Sequence, residues 1–169
     1  MSIGFVTAQG GRYYTELARA EYYTGGGESP GTWHLNDASF AFGLSGVVQE
    51  KDIEKLFDGY HPRTGEQLAQ NHGKDDRRAA LDLCFSVPKD VSALWAVSAE
   101  DDRRHIEKAF ERAVDQTLEY LSDHFGYTRR GQGGYEREKV ELLIATFVHR
   151  QSRGQDPQLH AHCLSLIHI

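Results

Sequence analysis

Hydrophobic and polar positions divide the first half of the chain into short elements. Residues 2–8 predict a first strand, and residues 12–23 predict a helix that a run of three glycines ends. Residues 40–48 predict a second strand, and residues 51–57 a short helix. The polar and turn-rich stretch 61–78 predicts a loop. Strands and helices are therefore interleaved from the start of the chain.

The longest helix is expected in the second half. Residues 81–86 predict a strand that Pro88 ends. A helix is expected to begin after Ser98, with Asp101 three residues on as a weak capping-box partner, and to end at Gly126. Positions suited to a buried face recur along it at helical spacing, namely Ile106, Phe110, Ala113, Val114, Thr117, Leu118 and Leu121.

Two strands joined by a tight turn are predicted at the end of the chain. Residues 140–149 are rich in β-formers and predict a buried strand, residues 154–157 a turn, and residues 158–163 a returning strand. Strands mixed with flanking helices predict an α+β sandwich with a mostly antiparallel sheet.

Three histidines fall on this predicted hairpin. His160 and His162 are two residues apart, so on a strand both side chains point to the same face. If the two strands pair across the turn, His149 comes within reach of them. Three imidazoles from adjacent strands can hold a divalent metal ion and leave coordination positions open for catalysis. Histidines with purely structural or surface roles would give the same pattern.

Composition limits the class of protein. The 169 residues are 39% hydrophobic and 26% charged, which fits one globular domain or a fragment of one. No apolar run approaches the roughly 20 residues that span a bilayer, and no signal peptide begins the chain, so we expect a cytoplasmic protein without membrane insertion. Cys84 and Cys163 are expected to be reduced thiols. The net charge of −6 argues against nucleic-acid binding, although residues 128–169 carry six basic and four acidic side chains.

Longer motifs carry a family resemblance. Residues 147–162 resemble the F-x-H-x-x-S-R-x-x-D-P-Q-L-H-x-H signature of MobF-class conjugative relaxases, the TrwC/TraI group. Residues 82–92 resemble the D-L-T-F-S-A-P-K-S-V-S motif of that class, and residues 43–46 resemble its G-L-x-G motif. The tyrosine pairs at 13–14 and 22–23 match in type and approximate spacing. The resemblance thus runs over nearly the whole chain.

The resemblance implies a fold, a reaction and partners. The fold would be the HUH-endonuclease fold, a five-stranded antiparallel sheet flanked by helices. The reaction would be site- and strand-specific nicking of DNA, in which a tyrosine attacks a metal-bound phosphodiester and leaves a 5′-phosphotyrosine link. The partners would be single-stranded DNA at an origin of transfer and other relaxosome and conjugation proteins, with the protein itself a monomer.

The resemblance also assigns roles to residues. His149, His160 and His162 would hold a divalent metal ion, Mg²⁺, Mn²⁺ or Zn²⁺. Tyr13 would be the first nucleophile and Tyr22 the second. Tyr14 and Tyr23 are weaker candidates for the second role, and packing against the sheet explains them better. Asp82 would either orient a ligand histidine or help to accept the tyrosine proton.

The chain departs from the family pattern in two places. Asp90 stands where the family motif has serine, a change that the start of a helix tolerates. Residues 164–169 match one translation frame of a commonly used transposon-end sequencing adapter. We therefore expect residues 1–163 to be a partial relaxase domain, truncated at its C-terminus, and residues 164–169 to be a non-native tail.

Other functions remain open at this point. A rolling-circle replication initiator or a transposase of the HUH type would share the histidine motif, although two tyrosine pairs favour a relaxase. A truncated fragment that binds DNA without cutting it is the alternative from another class. A three-histidine hydrolase or oxygenase of unrelated fold would have no use for the tyrosine pairs.

Overall fold

The computed structural model describes residues 1–17, 29–69, 71, 72, 74, 76–131, 135–152 and 154–166. The strands are β1 (Ser2–Thr7), β2 (Thr32–Trp33), β3 (Arg78–Ser86), β4 (Tyr127–Arg130), β5 (Glu136–Lys139), β6 (Ile144–Gln151) and β7 (Pro157–Ser165). The helices are α1 (Arg12–Leu17), α2 (Asp37–Ala41), α3 (Glu50–Asp58), α4 (Lys89–Val97) and α5 (Glu100–Phe125), and a short 3-10 turn at Gln9–Gly11 precedes α1.

A central sheet organises the molecule. In the described part of the chain, five strands pair in the order β1-β3-β7-β6-β2, and each neighbouring pair is antiparallel. Strands β4 and β5 form a separate antiparallel pair. The α+β class and the antiparallel sheet that the sequence predicts are confirmed.

Helix α5 covers one face of the sheet. Its side chains Phe110, Val114 and Leu118 recur every four residues and pack, with Leu83 of β3, against the odd-numbered positions of β7. These positions, Leu159, Ala161 and Cys163, are fully buried. The period of the helix and the alternation of the strand thus meet in one apolar layer.

The opposite face of the sheet carries a second core. Tyr14 of α1 and the buried side of α3 pack there against Phe147 of β6 and Leu164 of β7. The apolar stripe of α3 consists of Ile53, Leu56 and Phe57. The even-numbered positions of β7 point to this face, because neighbouring residues of a strand alternate. The histidines of β7 therefore lie on the α1 side, away from α5.

Both ends of α5 have a clear physical basis. Its first turn carries three acidic side chains, which suits the positive end of the helix dipole. Ala99 is the N-cap and makes no side-chain hydrogen bond. The predicted capping box from Ser98 is therefore wrong, because that hydroxyl donates instead to the Leu94 carbonyl of α4. Gly126 ends the helix, and a Cβ there would clash with the Val140 carbonyl oxygen.

The predicted strand over residues 40–48 is wrong. Asn36 and Ser39 form a reciprocal capping box that begins α2 in that region. Gly43 and Gly46 then adopt φ values of 64° and 66°, a left-handed conformation that interrupts a regular strand. Val47 alone forms an isolated bridge, to Thr32.

Most other predicted elements are confirmed with small shifts. Strand β6 begins at Ile144, not at residue 140, and β3 begins a few residues earlier than predicted. The predicted helix 12–23 is observed as α1 up to Leu17, and its remainder lies outside the described residues. Helix α4 and the β4–β5 pair were not predicted as elements.

The two cysteines do not form a disulfide bond with each other. Cys84 and Cys163 are free thiols, as predicted, and burial raises the pKa of Cys163 to about 12. Within the described ranges, no helix is both long enough and apolar enough to pass through a bilayer.

Candidate active site

The β6–β7 hairpin places the three histidines. His149 of β6 lies directly opposite His160 of β7, and His162 lies opposite Phe147. Opposite residues of antiparallel strands share a face, so all three imidazoles project to the α1 side of the sheet. The pairing across the turn that the spacing predicts is therefore observed.

The polar turn between these strands fixes their register. Ser152 N–H donates to the Asp156 carbonyl, and Gln155 N–H donates to the Ser152 carbonyl, each at 2.9 Å. The Ser152 hydroxyl accepts from the backbone N–H groups of Gly154 and Asp156. A one-residue slip would send one strand's histidines to the opposite face, so this turn maintains the site.

The spacing of the imidazole rings fits a shared metal ion. Ring centroids are 5.2 Å apart for His149 and His160, 5.3 Å for His160 and His162, and 5.7 Å for His149 and His162. Tetrahedral coordination with metal–nitrogen bonds of about 2.0–2.1 Å puts such centroids roughly 5.2 Å apart. Among the described residues no group of three His, Cys, Asp or Glu side chains already surrounds a single point as ligands. The ring spacing, and not a closed set of ligands, is therefore the observation that supports a shared metal site.

Two of the histidines have an oxygen acceptor beside Nδ1. His162 Nδ1 lies 2.8 Å and 3.0 Å from the two carboxylate oxygens of Asp82. His160 Nδ1 lies 2.9 Å from the carbonyl oxygen of Gln158. A carboxylate or carbonyl oxygen can only accept, so in the neutral imidazoles these contacts favour the tautomer with the proton on Nδ1, in which Nε2 is the nitrogen that can bind a metal.

Asp82 joins the histidines to the first tyrosine pair. It lies on β3 beside β7, and its Oδ2 also accepts a hydrogen bond of 2.8 Å from the Tyr14 hydroxyl. Tyr14 is buried, and its ring lies edge-on to that of His162 at 6.0 Å. Burial, and then the bond to Asp82, raises the pKa of the Tyr14 phenol above its ordinary value. Tyr14 therefore stays protonated and donates.

Tyr13 and Tyr14 are adjacent but differently placed. Tyr13 is 50% exposed, whereas Tyr14 is 7% exposed, and their rings meet edge-to-face at 5.1 Å. Gly11, just before α1, lets the start of this helix pack closely against α3, because a Cβ there would lie 2.8 Å from the Phe57 ring. The structure thus brings Asp82 and the three histidines together on one face, with Tyr14 bonded to Asp82 and Tyr13 beside Tyr14. Tyr22 and Tyr23 lie outside the described residues.

The link between Tyr14 and Asp82 was missed by sequence reasoning. From the sequence, Tyr14 is a packing residue against the sheet, and its ring does contact Phe147. Its hydroxyl, however, reaches the carboxylate of the candidate site. The only sequence signal was that a buried tyrosine hydroxyl needs a partner.

Fold and site together define a class of protein. The sheet and its flanking helices match the HUH-fold relaxase domain of solved conjugative relaxases. A family model for TrwC relaxases matches residues 7–166, and the chain belongs to this family. The resemblance to the MobF class and the HUH-endonuclease fold that it implied are confirmed.

Relatives and solved structures agree with this assignment. The chain is 32% identical over 168 residues to the multifunctional conjugation protein TraI of Escherichia coli strain K12, covering 97% of this chain and 9% of TraI. It is 33% identical, with a TM-score of 0.76, to copper-bound conjugative relaxase TrwC in complex with oriT DNA, covering 98% of this chain and 56% of that one. TrwC bound to a 27-mer DNA with the recognition hairpin and cleavage site has a TM-score of 0.73 at 32% identity, with coverages of 98% and 54%. The chain therefore spans about a tenth of TraI and just over half of the TrwC structures.

Proposed function

We propose that the protein nicks one DNA strand at an origin of transfer and so initiates conjugative plasmid transfer. The observation that carries the proposal is the convergence of His149, His160 and His162 on one sheet face beside Asp82 and the tyrosine pair. The solved TrwC relatives are complexes with oriT DNA, which supports single-stranded DNA of this kind as the substrate.

The proposed metal site uses the three imidazoles as ligands. A bound divalent ion would neutralise charge on the scissile phosphate and orient it for attack. Imidazole nitrogen suits Zn²⁺ and Mn²⁺ better than Mg²⁺, and all three are candidates, since availability in the cell often decides. One TrwC structure is copper-bound, which supports a transition-metal ion at such a site.

Tyr13 is the proposed initiating nucleophile. Its half-exposed ring is accessible to a DNA strand, in contrast to the buried ring of Tyr14. The Tyr13 phenol would lose its proton and its oxygen would attack phosphorus; the bond to the 3′ oxygen would break, and that oxygen would take up one proton in turn and leave as a 3′-hydroxyl. The product is a 5′-phosphotyrosine, which keeps the phosphodiester energy for later rejoining.

The supported role of Asp82 is to orient His162. The sequence leaves open whether it orients a histidine or accepts the tyrosine proton. Both carboxylate oxygens face His162 Nδ1, and one of them also accepts from Tyr14. A carboxylate held in this way supports histidine orientation more directly than proton transfer from Tyr13.

Further parts of the proposal concern partners and the second strand transfer. Tyr22 is the proposed second nucleophile. The protein is proposed to act as a monomer in the cytoplasm with other relaxosome and conjugation proteins. The division into a relaxase part, 1–163, and a non-native tail, 164–169, stays a prediction; residues 164–166 are buried in the structure and fall within the family match. The reading frame in the source DNA would decide it.

A cleavage assay tests the proposal. Single-stranded oligonucleotides that span the origin of transfer are incubated with the protein encoded by the complete reading frame that contains this chain. The assay is run with and without Mn²⁺. We expect metal-dependent nicking and a covalent adduct that mass spectrometry places on Tyr13. Tyr13→Phe should abolish the adduct but keep the fold and DNA binding, and Tyr14→Phe should still form it at saturating metal. An adduct on Tyr22 or Tyr23 during initiation would contradict the assignment, and binding without cleavage would favour a binding-only protein.

A further inference from the structure

We infer that Tyr14 is a positioning residue of the candidate metal site, because its hydroxyl holds Asp82 in the orientation that in turn holds His162. The inference rests on the proposed function, since it assigns Tyr14 a role in the metal site proposed above. The two members of the first tyrosine pair then have different roles: Tyr13 is the proposed nucleophile, and Tyr14 positions Asp82.

Two hydrogen bonds in series carry the argument. The Tyr14 hydroxyl donates to Asp82 Oδ2 at 2.8 Å, and the same oxygen lies 2.8 Å from His162 Nδ1. The other carboxylate oxygen lies 3.0 Å from that nitrogen. The side chains of Asp82 and His162 are 17% and 20% exposed, so little water competes for these bonds.

The series joins three separate elements of the fold. Tyr14 lies on α1, Asp82 on β3 and His162 on β7. The Tyr14 ring lies 6.1 Å from that of Phe147 and 6.0 Å from that of His162. These neighbours confine the ring, so its hydroxyl is directed at the carboxylate. Through Tyr14 and Asp82, the packing of α1 onto the sheet is coupled to the orientation of His162.

Tyr14 fixes the carboxylate by occupying one of its acceptor positions. A carboxylate that bonds only His162 can rotate about its own axis and exchange oxygens. The hydrogen bond from the Tyr14 phenol holds Oδ2 of Asp82 in place. The carboxylate therefore keeps an acceptor oxygen next to His162 Nδ1. His162 then keeps its proton on Nδ1 and directs an unprotonated Nε2 toward the metal position.

Of the three proposed ligands, it is His162 whose orientation the Tyr14 hydroxyl supports. His160 Nδ1 lies beside the carbonyl of Gln158, a backbone group within its own strand. That contact is fixed by β7 itself and needs no support from α1. Loss of the Tyr14 hydroxyl should therefore weaken the site without destroying it.

Metal titration of Tyr14→Phe tests the inference. The substitution keeps the ring and removes only the oxygen. Co²⁺ is the probe, because its visible absorption reports both binding and ligand geometry. We expect roughly 10-fold weaker Co²⁺ binding, the lower end of what loss of a hydrogen-bonded ligand partner costs, with an altered spectrum at saturation. The metal concentration for half-maximal nicking should rise by a similar factor, whereas the rate at saturating metal changes less.

Tyr60→Phe is the matched control. Like the Tyr14 hydroxyl, the Tyr60 hydroxyl makes a side-chain hydrogen bond, in its case to His72 Nδ1 at 2.7 Å, and it is not part of the candidate site. Removing it deletes the same atom and a comparable bond. Its Co²⁺ affinity and spectrum should equal those of the wild type, even if its melting temperature falls.

The outcomes distinguish this inference from the proposed function. Equal Co²⁺ affinity in the wild type and Tyr14→Phe would overturn the inference alone. No Co²⁺ binding by the wild type would overturn the proposed metal site and the inference with it. If Tyr14→Phe does not fold, nitrogen NMR of the metal-free wild type decides: we expect His162 protonated on Nδ1, and a proton on Nε2 instead would overturn the inference.

Discussion

The two faces of the β6–β7 hairpin differ in what holds them together. On one face, Leu159, Ala161 and Cys163 pack under α5 in an apolar layer. On the other, His160 and His162 alternate with those same residues, and His162 meets side chains from α1 and β3. Adjacent residues of one strand therefore belong to two different environments.

The difference teaches how this fold separates stability from chemistry. The apolar face depends on buried area and volume, which many hydrophobic side chains can supply. The other face has an apolar core of its own, but the histidine site on it depends on directed hydrogen bonds between elements far apart in the sequence. Substitutions on the apolar face should therefore lower stability, whereas substitutions of the site residues should lower metal binding.

The largest effect is expected from removing a histidine. His160→Ala or His162→Ala should weaken metal binding beyond the roughly 10- to 100-fold that loss of a ligand's hydrogen-bonded partner costs. Metal-dependent cleavage should be lost, while single-strand binding stays within a few-fold. His124→Ala, an exposed histidine on α5, is the control and should change neither property. Full cleavage by either site variant would refute the three-histidine assignment.

A smaller but clear effect is expected from the apolar face. Leu118 is fully buried between α5 and the sheet, so Leu118→Ala should lower the free energy of unfolding by about 2–5 kcal/mol. Denaturant unfolding measures this loss. The folded fraction should bind metal as the wild type does. Metal affinity that falls while stability is kept would show that the two faces are not independent.

The histidine hairpin could be predicted from the sequence because its geometry is local. Alternation along a strand sets the face of His160 and His162, and one short turn sets the partner of His149. The long helix was predictable for a similar reason, since its buried positions repeat along a single segment. Local periodicity therefore predicts where the histidines and the buried side chains of α5 lie, but it does not predict which side chains of other segments they contact.

The rest of the site depends on contacts between distant segments. Tyr14 lies 68 residues before Asp82, and no periodicity links the two. Whether Asp82 faces a histidine or a nucleophile also depends on how α1 docks. The wrong strand over residues 40–48 has a local cause, because glycines at 43 and 46 take left-handed conformations that hydrophobicity does not reveal.

The smallest effect is expected at the polar contact that anchors α5. Glu107 accepts hydrogen bonds from Arg150 of β6 and from the Trp95 indole, and the Arg150 bond is the main cause that lowers the pKa of Glu107. A lowered carboxyl pKa stabilises the fold above the unfolded value of about 4.3, and this contribution is lost as the pH falls through the lower folded value. Glu107→Gln should cost about 1–2 kcal/mol at pH 7.

The pH dependence gives that prediction its control. Below the folded pKa of Glu107, the wild type and Glu107→Gln should approach each other in stability, because the wild-type carboxyl is then neutral as well. Thermal melts between pH 7 and pH 3 measure the difference. A gap that stays constant over this range would show that charge on Glu107 contributes nothing to the anchoring of α5.

Anomalous diffraction from crystals loaded with Mn²⁺ or Zn²⁺ tests the central claim most directly. The claim is that the hairpin presents His149, His160 and His162 as ligands of one metal ion. We expect a single strong peak at about 2.0–2.2 Å from Nε2 of each of these three side chains, with Asp82 still bonded to His162 Nδ1. A metal peak elsewhere in the molecule, or one that leaves out any of the three histidines, would contradict the account.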